Sequence, residues 1–212
     1  MSVRGLCFTG IAMIALASVS RADDLAALSD EFDDPKSLAK WQHVDKVEKS
    51  GADQIKRLEV DKAAGRLTIE PYTSVWYQDY RGVLLFKPVT GDFVVTTSLA
   101  VSGKGQKGQP PRSQFSLAGI MVRSPRAVTP QTWRPGGENY VFLSLGAADR
   151  PGNFQLEVKT TVNSKSDLQI TEGAPEGQIR VARIGQAMIM LRKLPGEEWQ
   201  VHRRYVRTDF PE

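Results

Sequence analysis

Residues 154–162 read FQLEVKTTV, and the order of polar and apolar side chains in this stretch decides the fold class. Phe154, Leu156, Val158 and Val162 stand on one set of alternate positions, and the positions between them are polar. Successive side chains of a β-strand point to opposite faces of its sheet. The period of two therefore predicts a half-buried strand.

The same period continues through most of the chain on either side of this stretch. Residues 93–101 (FVVTTSLAV) are apolar or small at both sets of alternate positions, which predicts a strand buried on both faces. Turn residues separate the strands, among them Gly65, Gly91, Gly185 and Gly196. Further strands are predicted at 55–60, 66–71, 82–88, 117–123, 139–145, 178–184, 187–194 and 199–207. Strands joined by short hairpins, without the helices that parallel strands require, predict an all-β fold, an antiparallel two-sheet sandwich.

Composition and length narrow the class of protein further. The chain has 212 residues, of which 41% are hydrophobic and 25% charged, the balance of an ordinary globular domain. Its single cysteine, Cys7, excludes a scaffold of intrachain disulfides, and its two histidines leave little for a zinc site.

Residues 1–22 have the three parts of a secretory signal peptide. Arg4 supplies the positive start, residues 6–19 are mostly apolar, and Ser20 and Ala22 provide small residues before a cleavage site. We therefore predict a signal peptide at 1–22, one mature domain at 23–212 without a transmembrane segment, and a secreted or periplasmic location. Two arginines leave with the signal, so 28 − 2 = 26 basic residues face 24 acidic ones. A net charge of +2 disfavours nucleic acid as a partner.

Short motifs along the chain resemble those of a known superfamily. They are DEFDD at 30–34, Trp41, GRLTI at 65–69, TGDFVV at 90–95 and LAGIMVR at 117–123. With these motifs the chain resembles the concanavalin A-like lectin/glucanase superfamily, the jelly-roll sandwich of laminin-G-like modules, and in it a secreted bacterial branch of unassigned function. The resemblance implies a jelly roll that holds glycans on a concave sheet face. Such domains continue past the strand at 199–207, so we expect this chain to lack a final C-terminal strand.

The densest aromatic run, VWYQDYRG at 75–82, is the first candidate binding site. Sugar rings present apolar C–H faces rimmed by hydroxyls, so a site for them combines flat aromatic side chains with hydrogen-bonding groups. Trp76, Tyr77 and Tyr80 supply the aromatic surface, and an aspartate and an arginine lie beside them. The alternative is that these aromatics pack into the sandwich or brace a loop.

Arg123, Tyr140 and Trp133 complete the predicted ligand-binding set. Alternation places Gly119 and Arg123 on one face, which Tyr140 shares if its strand is the neighbour, and the glycine would leave room for a ligand. The resemblance implies that such a face holds the glycan, whereas the alternative is that Arg123 pairs with a carboxylate on an ordinary sheet surface. Trp133 lies on a loop rich in Gly and Pro, as a binding finger or equally as a loop anchor.

The acidic run before the first strand offers hard oxygen ligands for a structural calcium ion, which sandwiches of this type often hold. The residues concerned are Asp30, Glu31, Asp33 and Asp34. Plain solvated charges are the alternative interpretation.

No catalytic residue is predicted. The Glu-x-Asp-x-x-Glu pattern of the superfamily's best-known hydrolases is absent, and Glu59 with Asp61 lies beside a hairpin turn, where solvated charges are expected. His202 and Tyr205 are the best candidates for lyase chemistry. The sequence therefore predicts an exported, non-catalytic domain that binds a polysaccharide or glycan. The alternatives are a glycoside hydrolase or polysaccharide lyase of the same fold, and a structural or protein-binding module.

Overall fold

A computed structural model describes residues 25–49, 52–72 and 75–211. The chain divides into two units, Met1–Asp30 and Glu31–Glu212, and every strand among the described residues belongs to the second. The predicted signal peptide at 1–22 lies outside the described residues.

The second unit consists mainly of strands joined by turns. Its helices are a 3₁₀ helix at Pro35–Lys40 and an α-helix, α1, at Val44–Glu48, and no described helix is long and apolar enough to cross a membrane. The strands are β1 Gln42–His43, β2 Ile55–Asp61, β3 Arg66–Pro71, β4 Leu85–Phe86, β5 Phe93–Ala100, β6 Ser116–Arg123, β7 Tyr140–Ala147, β8 Gln155–Val162, β9 Lys165–Glu172, β10 Glu176–Ile184, β11 Ala187–Lys193 and β12 Gln200–Val206.

Two four-stranded antiparallel sheets form a sandwich. The first sheet has the order β12–β11–β10–β5 and the second has the order β6–β7–β8–β9. In the second sheet each strand pairs with the next one along the chain, whereas in the first sheet β5 pairs with the distant β10. Two small pairs, β1–β4 and β2–β3, accompany them. The predicted all-β fold of antiparallel sheets is confirmed.

The core lies between the two sheets, and alternate residues of the inner strands fill it. The second sheet contributes Val141, Leu143, Leu145, Leu156 and Val158, and the first contributes Ile179, Val181, Met188 and Met190, all without exposed surface. Burying one such side chain stabilises the fold by about 1.5–3 kcal/mol. Each sheet therefore has a core face and an opposite face, which we call its outer face.

Strand register sets four rows of residues on the outer face of the second sheet. Each row crosses β6, β7, β8 and β9 in turn. The rows are Arg123–Tyr140–Thr161–Ser166, Met121–Phe142–Lys159–Leu168, Gly119–Ser144–Glu157–Ile170 and Leu117–Gly146–Gln155–Glu172. Arg123 and Tyr140 are thus direct neighbours, as expected if their strands pair.

The burial of β5 and β8 differs from the sequence prediction: β5 is more exposed than predicted, and β8 is more buried. The segment 93–101 was expected to be buried on both faces, but β5 is an edge strand with Val94 61% exposed. Strand β8 was expected to be half-buried, but Gln155, Glu157 and Lys159 on its polar side are buried as well. The physical reason is that the burial of a strand face depends on the segments that pack against it, and these segments are distant in sequence.

Two strands also differ from the predicted set. Strand β9 was missed because it is an edge strand with few apolar residues, and the predicted strand 82–88 shortens to β4. Strand β12 forms the other edge of the first sheet, and the expectation that a final C-terminal strand is lacking stays a prediction.

Candidate functional site

Residues 75–84, here called the covering segment, lie over the outer face of the second sheet. The Nζ atom of Lys159 on β8 donates a hydrogen bond to the carbonyl of Trp76 at 2.9 Å. The amide of Gln78 donates to the hydroxyl of Ser166 on β9 at 3.1 Å. The predicted aromatic run is therefore fixed to a sheet face and does not form a free loop.

A buried ion cluster lies at one end of this face. Its members are Glu48 of α1, Arg81 of the covering segment, Arg123 at the end of β6, and Arg126 and Glu138 in the following loop. Glu138 has no exposed surface and accepts hydrogen bonds from Arg123 Nε and from Arg126, each at 2.8 Å. Glu48 accepts from Arg81 at 2.5 Å and from Arg123. Buried charges need such pairing, because burial removes their hydration.

The pKa values of Glu138 and Arg123 are shifted in the directions that favour their charged forms. Burial alone would raise the pKa of Glu138, but the hydrogen bonds from Arg123 and Arg126 and the charge of Arg81 outweigh it, so its pKa lies below the usual 4.5. Burial also opposes the charge of Arg123, but hydrogen bonds to Glu138 and Glu48 raise its pKa. The cluster contains one more arginine than glutamate.

Three of the predicted ligand-binding residues lie together beneath the surface. Tyr140 has no exposed surface, and its ring meets that of Trp76 edge-on, with centroids 5.9 Å apart. Burial raises the pKa of the Tyr140 phenol. The guanidinium of Arg123 lies 5.6 Å from the Trp76 ring, and Trp76 Nε1 donates to the carbonyl of Val83 at 3.1 Å. Contacts of this kind brace the covering segment, and Tyr140 has no surface to offer a ligand.

The prediction that Gly119 leaves room for a ligand on this face is wrong. A Cβ atom at this position would lie 2.0 Å from the carbonyl oxygen of Leu143 on β7. The glycine therefore permits the close approach of β6 and β7 and opens no cavity.

The remaining predicted residues lie nearer the surface. Tyr77 is 38% exposed and Tyr80 is 68% exposed, and the Tyr80 amide donates to the Tyr77 carbonyl at 2.9 Å. Trp133 is half-buried. Its loop meets the covering segment where the Gly136 amide donates to the Asp79 carboxylate at 3.1 Å.

Two exposed aromatic rings converge on one lysine of the outer face. Tyr77 and Phe115 have ring centroids 5.8 Å and 5.9 Å from the Nζ atom of Lys159. Phe115 is 43% exposed and precedes β6, so the two rings come from separate segments. We call Tyr77 and Phe115 the aromatic clamp.

Lys159 pairs with a completely buried carboxylate beneath the clamp. Its Nζ atom lies 2.9 Å from Oε1 of Glu157, and the two side chains are 5% and 0% exposed. The pair lacks hydrogen-bond geometry, and neither oxygen of Glu157 has a hydrogen-bond partner among the described residues. A buried carboxylate in this state depends on the charge of Lys159.

Backbone strain marks both sides of the clamp. Gln78, next to Tyr77, and Phe115 itself have φ angles of 52°, in the left-handed region. This conformation costs about 1–2 kcal/mol for a residue other than glycine. Such strain persists only where neighbouring structure enforces it, and it clusters at functional sites.

Sequence reasoning missed Glu157, Lys159 and Phe115. The alternation in 154–162 assigned Glu157 and Lys159 to a solvent-facing side, where a glutamate and a lysine two residues apart are unremarkable. Their meaning depends on the covering segment, which is 83 residues from Lys159 at Trp76. No sequence signal identifies Phe115, because its proximity to Lys159 arises only in the folded chain.

The acidic pair considered for catalysis lies on the β2–β3 hairpin. Glu59 forms an ion pair with Arg57, and both side chains are more than half exposed. Asp61 accepts a hydrogen bond from the Ala63 amide at 3.1 Å and so caps the hairpin turn. Both are structural surface roles.

His202 and Tyr205 lie half-buried on the edge strand β12. Burial lowers the pKa of His202, and the charges of Arg192 and Arg203 lower it further, so the imidazole is neutral near pH 7. Burial raises the pKa of the Tyr205 phenol.

A metal site is not apparent in the described parts of the chain. Among those residues, no three His, Cys, Asp or Glu side chains lie close enough together to hold an ion. Asp34, one of the predicted calcium ligands, accepts a hydrogen bond from the Lys36 amide at 3.0 Å and caps the 3₁₀ helix. The calcium hypothesis stays a prediction.

Comparison with known proteins adds little to this geometry. No family model matches the chain, and no curated protein matches it. Among solved structures it is similar to the crystal structure of a functionally unknown protein from Saccharomyces cerevisiae. The two are 16% identical with a TM-score of 0.47, over 82% of this chain and 81% of the other.

Proposed function

We propose that the mature protein is an exported, non-catalytic carbohydrate-binding domain of the concanavalin A-like type. Its binding surface is the aromatic clamp on the outer face of the second sheet, with Tyr80 beside it. Export rests on the signal-peptide pattern of residues 1–22, and the type rests on the resemblance of the strand motifs.

The observation that carries the proposal is the convergence of Tyr77 and Phe115 on Lys159. The C–H faces of a sugar pack well against aromatic rings, and its hydroxyl oxygens accept hydrogen bonds. An ammonium group has three N–H donors. Lys159 uses one of them for the carbonyl of Trp76, and its charge is paired with that of Glu157. Exposed aromatic surface from two separate segments therefore lies over one buried ammonium group.

The clamp is held in place before any ligand arrives. The Gln78 amide donates to Ser166 Oγ at 3.1 Å, and the Phe115 amide donates to the Ala148 carbonyl at 2.9 Å. A backbone held in this way loses less conformational entropy on binding, so pre-organisation favours affinity.

The predicted residues divide into two roles under this proposal. Tyr77 and Tyr80 contact the glycan. Trp76, Arg123 and Tyr140 support the covering segment from beneath, through the ring and cation contacts described above. Trp133 stays a candidate for the rim of the site.

A glycan array probed with the mature chain, with and without EDTA, tests the proposal. We expect binding in at least one condition, and a weakening of about tenfold or more for Tyr77→Ala and for Phe115→Ala, because each removes an aromatic anchor. Trp199→Ala is the matched control, since Trp199 stacks on Arg180 on the outer face of the first sheet. Its affinity is expected to equal that of the wild type.

Other outcomes would favour the alternatives. Silence on the array in both conditions contradicts carbohydrate binding and favours a structural or protein-binding module. Release of reducing ends or of unsaturated products from a bound glycan contradicts the non-catalytic part and favours a hydrolase or a lyase.

A further inference from the structure

We propose that the ligand of the aromatic clamp is an uncharged, hydroxyl-rich glycan, and that the Glu157–Lys159 pair rejects acidic sugars. This inference rests on the proposed function and specifies the chemical class of its ligand. Lysine beside aromatic rings would ordinarily point to the opposite class, a glycan with carboxylate or sulfate groups. The surroundings of Lys159 decide against it.

The charge of Lys159 is already neutralised within the protein. Glu157 Oε1 lies 2.9 Å from its Nζ atom, and 95% or more of each side chain is shielded from water. Glu157 has no hydrogen-bond donor among the described residues, so its negative charge is balanced by Lys159 alone. A ligand carboxylate at the clamp would place two anions around one ammonium group, at a site with little water to screen their repulsion.

The arginines at the end of the same face are not available to an acidic ligand either. Arg123 forms hydrogen bonds to both Glu138 and Glu48, and Arg126 to Glu138. The exposed fractions of the Arg123 and Arg126 side chains are only 8% and 15%. The cluster has a surplus positive charge, but that charge is enclosed.

A neutral glycan fits what the clamp does present. Tyr77 and Phe115 are exposed and offer ring surface for C–H groups, whereas the ammonium of Lys159 beneath them is buried and its charge is paired with Glu157. Neighbouring floor residues on the sheet, Met121 and Phe142, are half-buried and apolar. None of these groups would favour an acidic glycan over a neutral one.

Three matched pairs of polymers separate the two classes: hydroxyethyl cellulose with carboxymethyl cellulose, methyl-esterified polygalacturonate with polygalacturonate, and mannan with polymannuronate. Affinity is measured by electrophoresis through gels containing each polymer, at 10 mM and 150 mM salt, as chosen conditions about fourfold apart in Debye length. We expect the neutral member of at least one pair to bind about tenfold or more tightly than its acidic partner. We also expect its affinity to change by less than about twofold with salt.

The variant Glu157→Gln tests the cause, because it keeps the shape of the side chain and releases the charge of Lys159. We expect its affinity for the acidic polymer of the pair to rise severalfold and to become salt-dependent. An unchanged preference in a folded Glu157→Gln protein overturns the role of the pair. Since this variant can fail to fold, the wild-type comparison stands as an independent test.

The failures of the two proposals are distinguishable. Tight, salt-sensitive binding of the acidic members by the wild type overturns the inference of an uncharged ligand and leaves carbohydrate binding intact. Absence of binding to all six polymers and to the glycan array overturns both.

Discussion

The outer faces of the two sheets differ in burial: one buries polar side chains, and the other exposes apolar ones. On the second sheet, polar side chains are completely buried: Ser144, Gln155, Glu157 and Thr161. On the first sheet, apolar side chains are exposed: Val94 by 61%, Ile184 by 58% and Val206 by 76%.

An antiparallel sandwich normally leaves polar side chains in water and buries apolar ones. The second sheet departs from this pattern because other segments lie on its outer face. The covering segment is bonded to Lys159 and Ser166, and the turn at 148–150 is bonded to Gln155. The difference indicates where a substitution should change the free energy of unfolding most. Buried charges on the second sheet depend on their partners, whereas contacts on the open face of the first sheet compete with water.

The largest effect is expected from Glu138→Gln, which leaves three arginines of the buried ion cluster facing the single carboxylate of Glu48. Removing one member of a buried ion pair costs about 3–5 kcal/mol. Urea denaturation measures this loss. Glu172→Gln is the control, because the Glu172–Arg150 pair is a solvent-exposed ion pair on the edge of the same sheet. An equal shift of the two midpoints would remove the distinction between buried and exposed charges.

The next largest effect is expected from Lys159→Met, which isolates the carboxylate of Glu157 and should cost about 3 kcal/mol. The double variant Glu157→Leu with Lys159→Met removes both charges and is expected to lie within about 1 kcal/mol of the wild type. A double-mutant cycle from urea denaturation gives the coupling energy. Additive losses would show that the two charges do not depend on each other.

A smaller effect is expected on acidification, and it arises from Glu138. Its pKa is lowered on folding, so its stabilisation is fully present above about pH 4.5 and is lost as the pH falls through the lower folded value. Urea midpoints measured from pH 6 to pH 3 should therefore fall more steeply for the wild type than for Glu138→Gln, as linkage requires. Parallel curves would contradict the ionised state of this residue.

The smallest effect is expected on the outer face of the first sheet. Arg180→Gln removes a guanidinium 4.2 Å from the Trp199 ring and a hydrogen bond to Thr96. Such exposed cation–aromatic contacts stabilise by about 0.5–1 kcal/mol. Thermal unfolding measures the change, and a loss as large as that of Lys159→Met would make the two faces energetically alike.

Sequence patterns predicted the strands well because strands and hairpins are local features. Gly65 and Gly185 adopt φ angles of 54° and 55° at the β2–β3 and β10–β11 turns, the conformation that turn chemistry led us to expect. Strand β3, predicted at 66–71, has those bounds in the structure.

How much of each strand is buried could not be predicted in the same way. The period of two identified β5 and β8 but misjudged how much of each is buried, because the residues that cover them are distant in sequence. The same limit applies to the candidate site. Tyr77 and Tyr80 were found from composition, whereas Lys159 acquires its role only when the covering segment lies against β8.

The pairing order of the strands has a consequence for the order of folding. Each pairing in the second sheet joins strands that follow one another along the chain, so this sheet can form through short loop closures. The first sheet joins β5 to β10, with contacts such as Gln178 to Ser98 across 80 residues. Long-range pairings form slowly, so we expect the second sheet to form first and to act as the template on which the ends of the first sheet meet. On this route the surface that carries the clamp is in place before the sandwich closes.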